Sequence, residues 1–314
     1  MTDTASASQI NAPGAAAVPP PGDASGGTWA PNKTPRARAK RIGGSIGKHT
    51  LLIGAATLMI YPLLWMLVSS LRPTEIIFRT PGLWLQNLEF ENYVAGWQAL
   101  THPFGHYLLN SSIVVIGCIL GNLVSCSMAA YAFARLEFPL RRLLFGIMLI
   151  TIMIPFHVIV IPQYILFSQL DWINTFWPLV VPKILATDAF FIFLMVQFIR
   201  GIPKDMDEAA RIDGAGHARI FIQVILPLMI PALATTTIFT FIWTWNDFFT
   251  ALIYLTSPDM FTVPVALRSY VDATGQSNWG ALFAMSIVSL LPVFFAFLLG
   301  QKFLVKGIAT TGIK

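Results

Sequence analysis

Charge is scarce in this sequence. Asp, Glu, Lys and Arg make up 11% of its 314 residues, against roughly 25% in a soluble globular domain. A chain so poor in charge cannot cover itself with a hydrated surface, which excludes a soluble enzyme. Cysteine is scarcer still. Cys118 and Cys126 lie eight residues apart within one apolar run, a spacing that fits no metal or redox motif, so both are read as small buried side chains. The five histidines are scattered without metal-ligand spacing, and no Ser-His-Asp or Cys-His arrangement can be assembled. A phosphate-cradling loop is missing as well. Gly43-Gly44-Ser45-Ile46-Gly47-Lys48-His49 has Ile42 where that motif needs its first glycine, and His49 where it needs Ser or Thr. Gly214-Ala215-Gly216 is too short for a dinucleotide fingerprint. No catalytic residue, no metal site and no nucleotide site follows from the sequence.

What the sequence has is apolar length. Hydrophobic residues make up 55% of it, and the mean hydropathy is +0.68. Several runs reach the length of about 18 residues that a helix needs to cross a hydrocarbon core of about 30 Å. The runs are continuous rather than alternating, which excludes a membrane barrel. The expected fold is all-α, a polytopic membrane protein of about six transmembrane helices. Spans are expected at roughly 50–71, 107–134, 143–165, 175–199, 228–256 and 281–301. Residues 49–303 then form the membrane domain, residues 1–48 a disordered basic tail and residues 304–314 a second tail.

The first 30 or so residues are rich in Ala, Pro, Gly, Ser and Thr, too polar to offset the entropy of ordering, and carry no secretory h-region. Lys33, Arg36, Arg38, Lys40, Arg41 and Lys48 follow. A basic stretch beside a span reads as a juxtamembrane anchor rather than a nucleic-acid site. With both termini placed in the cytoplasm, sixteen Lys and Arg fall on inner segments and three on outer ones, as the positive-inside rule requires.

Ionisable and amide side chains within spans are costly in lipid and tend to face a cavity or a partner. Lys183, Asp188, Asn246 and Asp247 are the candidates for a translocation pathway. Snorkelling at a helix end is the other reading for Lys183 and Asp188, and an interhelical hydrogen bond for Asn246 and Asp247.

Between the fourth and fifth spans runs a polar segment, residues 201–227, with a short helix opened by Pro203 and an acidic first turn. Gly214 and Gly216 are placed to end it. Its Glu208-Ala209-Ala210, Gly214 and Leu226-Pro227 stand at the spacing of the EAA loop of ATP-binding-cassette importer permeases, and the segment resembles that loop. Val224 replaces the usual Ile. Trp243-Thr244-Trp245-Asn246-Asp247-Phe248 resembles a stretch of the carbohydrate branch, and residues 301–312 are similar to the C-terminus of the second, six-span maltose-type permeases. The resemblance covers most of the chain after residue 50.

The resemblance implies a permease subunit of a bacterial carbohydrate importer, without enzymatic activity of its own, working by alternating access. ATP and Mg are expected on a dimer of partner ATPase subunits. A second permease, an extracytoplasmic sugar-binding protein and the lipid bilayer complete the partners. Segment 201–227 would be the cytoplasmic coupling helix, with Glu208, Ala209, Ala210, Asp213, Gly214, Leu226 and Pro227 at the ATPase. Lys306, Gly307, Thr310 and Gly312 would reach the ATPase interface. An outer loop with Tyr270, Asp272, Asn278 and Trp279 would contact the binding protein, or else only join two spans. The cargo class is an oligosaccharide, disaccharide or polyol derivative, and the location the bacterial plasma membrane. A secondary transporter driven by an ion gradient is the rival, and Asp188 and Asp247 are its candidate relay residues.

Overall fold

A computed structural model of the chain describes residues 35–79, 82–84, 88–271 and 278–309, with side chains from 47 to 302. The tail through residue 34, Asp272, Thr310 and Gly312 lie outside the described residues, as does the side chain of Lys306, and Gly307 is described only by its place in a helix. No strand occurs among the described residues. The helices are α1 (Pro35–Ser69), α2 (Glu91–Gln98), α3 (Phe104–Arg135), α4 (Arg141–Thr151), α5 (Phe156–Gln169), α6 (Trp177–Ile184), α7 (Ala189–Gly201), α8 (Asp205–Ile212), α9 (His217–Ile220), α10 (Leu226–Leu228), α11 (Ile230–Trp245), α12 (Phe249–Tyr254), α13 (Val263–Arg268) and α14 (Trp279–Ala309).

Four segments are long and apolar enough to cross a membrane: Gly47–Ser69, Phe104–Arg135, Trp177–Gly201 and Trp279–Lys302. The number is six if the bent pairs Arg141–Thr151 with Phe156–Gln169 (99°) and His217–Leu228 with Ile230–Trp245 (74°) each form one span. The chain divides into two compact units, residues 1–57 and 58–314. In the first, residues 47–57 are helical and exposed throughout. Because α1 already starts at Pro35, the basic stretch from Arg36 to Lys48 is helical, where the sequence predicts a disordered tail. Lys and Arg are good helix formers, and extending an existing helix is far easier than nucleating one.

The second unit is organised around α3, which packs against α6, α7 and α11. Its buried residues recur at helical spacing: Phe104, Tyr107, Asn110, Val114, Cys118, Gly121, Asn122, Cys126, Ala130 and Tyr131. Its other side carries Leu109, Ile113, Ile116, Leu120, Val124 and Met128, all about half exposed, as a lipid-facing stripe requires. Gly117 and Gly121 let α6 approach closely. A Cβ on Gly117 would stand 2.9 Å from the Val180 side chain, and one on Gly121 3.0 Å from the backbone nitrogen of Ile184. Small residues at this four-residue spacing are a recurrent means of helix contact in membranes.

The expected spans 143–165, 175–199 and 228–256 are not single helices. Pro155 has no amide to donate and excludes the helical conformation from the residue before it, which breaks α4 from α5. Residues 185–188 separate α6 from α7, with Ala186 at φ +56°. The last of the three ends as a helix at Trp245, and α12 is a separate short turn of helix.

Gly121→Leu should destabilise the protein by about 1–3 kcal/mol, the usual cost of overpacking, because backbone cannot move aside as a side chain can. Thermal unfolding of the detergent-solubilised protein checks this. Gly146→Leu, at a site with open space, should leave the midpoint unchanged.

Candidate functional site

Two regions bring functional side chains together. The first is the polar segment after α7. Helix α8 carries Asp205, Asp207 and Glu208 in its first turn, where carboxylates meet the positive end of the helix dipole. It ends in a left-handed turn. Gly214 has φ +80°, and its amide donates to the Arg211 carbonyl at 3.0 Å while the Ala215 amide donates to the Ala210 carbonyl at 2.9 Å. This pair of bonds satisfies the last carbonyls of the helix. Gly216 has φ −76° and needs no glycine for its conformation.

Helix α8 presents a mixed exposed face. Asp205, Met206, Glu208, Ala209, Ile212 and Asp213 are exposed, and Ile212 reaches 87%. Ala210 instead turns inward against the core formed by α3, α7 and residues 220–229, so the expected pair of alanines is split between two faces. Asp207 is buried and meets Arg135 at the end of α3. The Nε–Oδ2 distance is 2.9 Å with side chains 3% and 8% exposed, and the Arg135 Nη2 donates to the Ile202 carbonyl at 2.7 Å. Neither Arg135 Nε nor Asp207 Oδ1 has a hydrogen-bond partner among the described residues, so the contact is an ion pair rather than a hydrogen bond. A π turn, Phe221–Ile225, then leads to Leu226, half-buried, and the exposed Pro227. Beyond them the 74° bend joins this segment to α11.

The second region is a cavity of about 300 Å³ at the break between α6 and α7, whose lining includes Gln163, Lys183, Thr187, Asp188, Trp243 and Asp247. Lys183 Nζ donates to both Asp188 oxygens at 2.9 Å. Asn122 of α3, fully buried, donates to Asp188 Oδ2 at 2.7 Å and to Thr240 Oγ1 at 3.1 Å. Ser125 donates to the Lys183 carbonyl at 2.8 Å, and Thr187 to that of Pro182 at 2.9 Å. The Lys183 and Pro182 carbonyls beside the break are thus answered from within the protein. Asp247 lies in the cavity wall, its Oδ1 accepting the Thr250 amide at 3.1 Å. Asn246 does not join it, since its amide is spent on the Ile242 carbonyl of its own helix at 2.7 Å. Among the described residues no group of His, Cys, Asp and Glu has the arrangement of a metal site.

Residues 113–310 match the family of binding-protein-dependent transport system inner membrane components. The chain belongs to this family. It is 33% identical to the diacetylchitobiose uptake system permease protein of Streptomyces coelicolor over 81% of this chain and 84% of the relative. It is also 33% identical to the trehalose/maltose transport system permease protein of Thermococcus litoralis, over 85% and 97%. Among solved structures, a bacterial ABC transporter that imports the acidic polysaccharide alginate matches with a TM-score of 0.74 at 24% identity, over 84% of this chain and 97% of that one. That likeness concerns the fold. The permease is therefore a multi-pass membrane protein, and the ion-gradient-driven secondary transporter is set aside.

Two polar centres of the permease were missing from the sequence reading. Asn122 sits in an apolar run and could have been flagged as a costly amide in lipid. Asp207 and its ion pair with Arg135 carry no such signal, because they look like ordinary loop charges. On the opposite side, Tyr270 is 5% exposed, and its hydroxyl donates to the Gly96 carbonyl at 2.5 Å. Burial pushes its phenol well above the usual tyrosine range. Tyr270 is therefore a core residue and offers no surface to a partner. Asn278 is exposed and caps α14 by accepting the Ala281 amide at 3.0 Å. Trp279 is half-buried against Phe78 and Phe283.

With Cys118 and Cys126 replaced by alanine, Thr187→Cys and Asp247→Cys in reconstituted permease should react with a small water-soluble thiol reagent, because both positions line the cavity. Tyr270→Cys should stay unreactive. Silence at both 187 and 247, with and without ATP, would mean that the cavity is closed to water throughout.

Proposed function

We propose that the permease is one of two different membrane subunits of an ATP-driven bacterial importer of carbohydrates. Its cargo is an oligosaccharide, disaccharide or polyol derivative, in keeping with the diacetylchitobiose and trehalose/maltose systems named for its relatives. A second permease subunit, an ATPase dimer that binds ATP and Mg, and an extracytoplasmic sugar-binding protein are its partners. Both termini lie in the cytoplasm of a cell whose plasma membrane holds the complex, and the excess of Lys and Arg on inner segments favours that orientation.

One observation carries this reading: the exposed face of α8. It combines the apolar Met206 and Ile212 with Asp205, Glu208 and the small Ala209, on a helix held rigid by the Arg135–Asp207 pair and by the Gly214 turn. A rigid, narrow, part-charged helix suits docking into a cleft of another protein, and the ATPase is its natural occupant. Leu226 and Pro227 lie where the segment turns into α11, whose Trp243 and Thr244 line the cavity. Movement at the docked helix thus reaches the cavity wall. Lys183, Asp188 and Asp247 face the passing sugar. By the same reading Lys306, Gly307, Thr310 and Gly312 serve the ATPase interface, and Asp272, Asn278 and Trp279 the contact with the binding protein.

Glu208→Lys reverses a charge at the docking face and should weaken attachment of the ATPase. Gly214→Asp puts a side chain on a left-handed position that favours glycine and, after it, asparagine, and it adds charge to the docking side. Transport should fail even where the complex assembles, whereas Gly214→Asn, which tolerates that conformation better, should retain more of it. All three variants should insert normally, because none touches a span. The assay is ATP hydrolysis stimulated by the sugar-loaded binding protein, together with uptake. Wild-type values for both Glu208→Lys and Gly214→Asp would remove α8 as the coupling element.

A further inference from the structure

Among the long apolar segments described, α3 alone crosses without a proline, a kink or a break. Pro62 and Pro292 lie inside α1 and α14, two segments are bent by 99° and 74°, and Trp177–Gly201 is interrupted at 185–188. Helix α3 has 32 residues, a length of about 48 Å at 1.5 Å per residue. It also contributes to every hydrophobic core of the second unit: through Tyr131 and Ala130 at one end, Val114 and Cys118 in the middle, and Phe104 and Tyr107 at the other end.

Both ends are tied by buried polar bonds to segments that lie far apart in the sequence. At one end Arg135 forms a buried ion pair with Asp207 of α8, and its Nη2 makes the directional bond, donating to the Ile202 carbonyl. At the other, Asn110, 5% exposed, donates to the carbonyls of Asp259 at 2.9 Å and Phe261 at 3.0 Å. Ser111 next to it accepts the Val263 amide at 2.8 Å. Apolar contacts let helices slide, whereas directional bonds between buried polar groups do not, since any slip leaves a group unpaired.

We propose that α3 is the rod that transmits movement between α8 and the segment around residues 257–263 on the opposite side, with Arg135 and Asn110 as its two clasps. The inference rests on the coupling role given to α8, and it assigns positioning roles to residues that touch neither ATPase nor cargo. Asn122, midway along the same rod, holds Asp188, so the cavity wall moves with it.

The test uses the full complex in lipid nanodiscs, with a fluorophore on Thr256→Cys, an exposed position. The signal is the fluorescence change on adding ATP with vanadate. Asn110→Ala should reduce that change at least about fivefold, the lower end of usual coupling factors, while basal hydrolysis stays within about twofold. Arg135→Gln should reduce it as far in complexes that keep the ATPase attached. The double variant should be no worse than the worse single one, because a rod released at either end transmits nothing. Arg135→Lys, which keeps the charge opposite Asp207, should lose less. A normal response in either single variant, losses that multiply in the double variant, or an equal fall in basal hydrolysis with Asn110→Ala would each overturn the rod. A parent complex that hydrolyses ATP without any signal at 256 overturns the rod alone. A parent complex that neither binds nor hydrolyses ATP overturns the coupling reading together with it.

Discussion

Helices that break within apolar segments free backbone amides and carbonyls, and lipid offers them no partner. Each such group left bare costs several kcal/mol. At the α6–α7 break, helix α3 supplies one of these partners. Ser125 answers the Lys183 carbonyl at the α6–α7 break, and Asn122 steadies Asp188 beside it. Those bonds depend on close approach, which Gly117 and Gly121 permit by leaving room for Val180 and Ile184. Small residues, polar donors and a broken neighbouring helix therefore form one arrangement, and none of them is explicable without the others.

The breaks also create the cavity. An unbroken helix from Trp177 to Gly201 would turn its side chains to its neighbours in a continuous spiral. The interruption at Ala186, with its positive φ, instead leaves Lys183 and Asp188 bonded to each other beside Asp247 and Trp243. An ammonium and carboxylates beside an aromatic face in a small, part-apolar space are what the proposed hydroxyl-rich cargo would need, since the charged groups can exchange a partner within the protein for a hydroxyl group. The pair is also less costly than an isolated charge in such surroundings.

Much of this was legible in the sequence, because it rests on composition and on period. The all-α class, the apolar segments and the acidic start and glycine end of α8 follow from rules that act locally. Helix α8 and Gly214 stand where the residue pattern puts them. Continuity was harder to read. Pro155 announces a boundary, but proline also occurs inside intact helices here, at Pro62 and Pro292, so the residue alone does not decide between a kink and a break. Pairings between distant residues were hidden altogether. Arg135 was counted as one more inner charge, and Asp207 as part of an acidic turn, although the two are buried together. Tyr270 shows the opposite error, an aromatic in a polar loop read as surface when its ring fills the core and its hydroxyl reaches Gly96.

On the proposed function, this chain forms a sugar path opened by ATP hydrolysis on another subunit. Uptake of a radiolabelled sugar into proteoliposomes tests it directly, with the permease, its partner permease, the ATPase dimer and the binding protein all present. Uptake should require ATP in the ATPase compartment, stop when the binding protein is omitted, and continue when ionophores collapse all ion gradients. Uptake that proceeds without ATP and ceases when the gradients are collapsed would instead mark a carrier driven by ion gradients and rule out ATP-driven import.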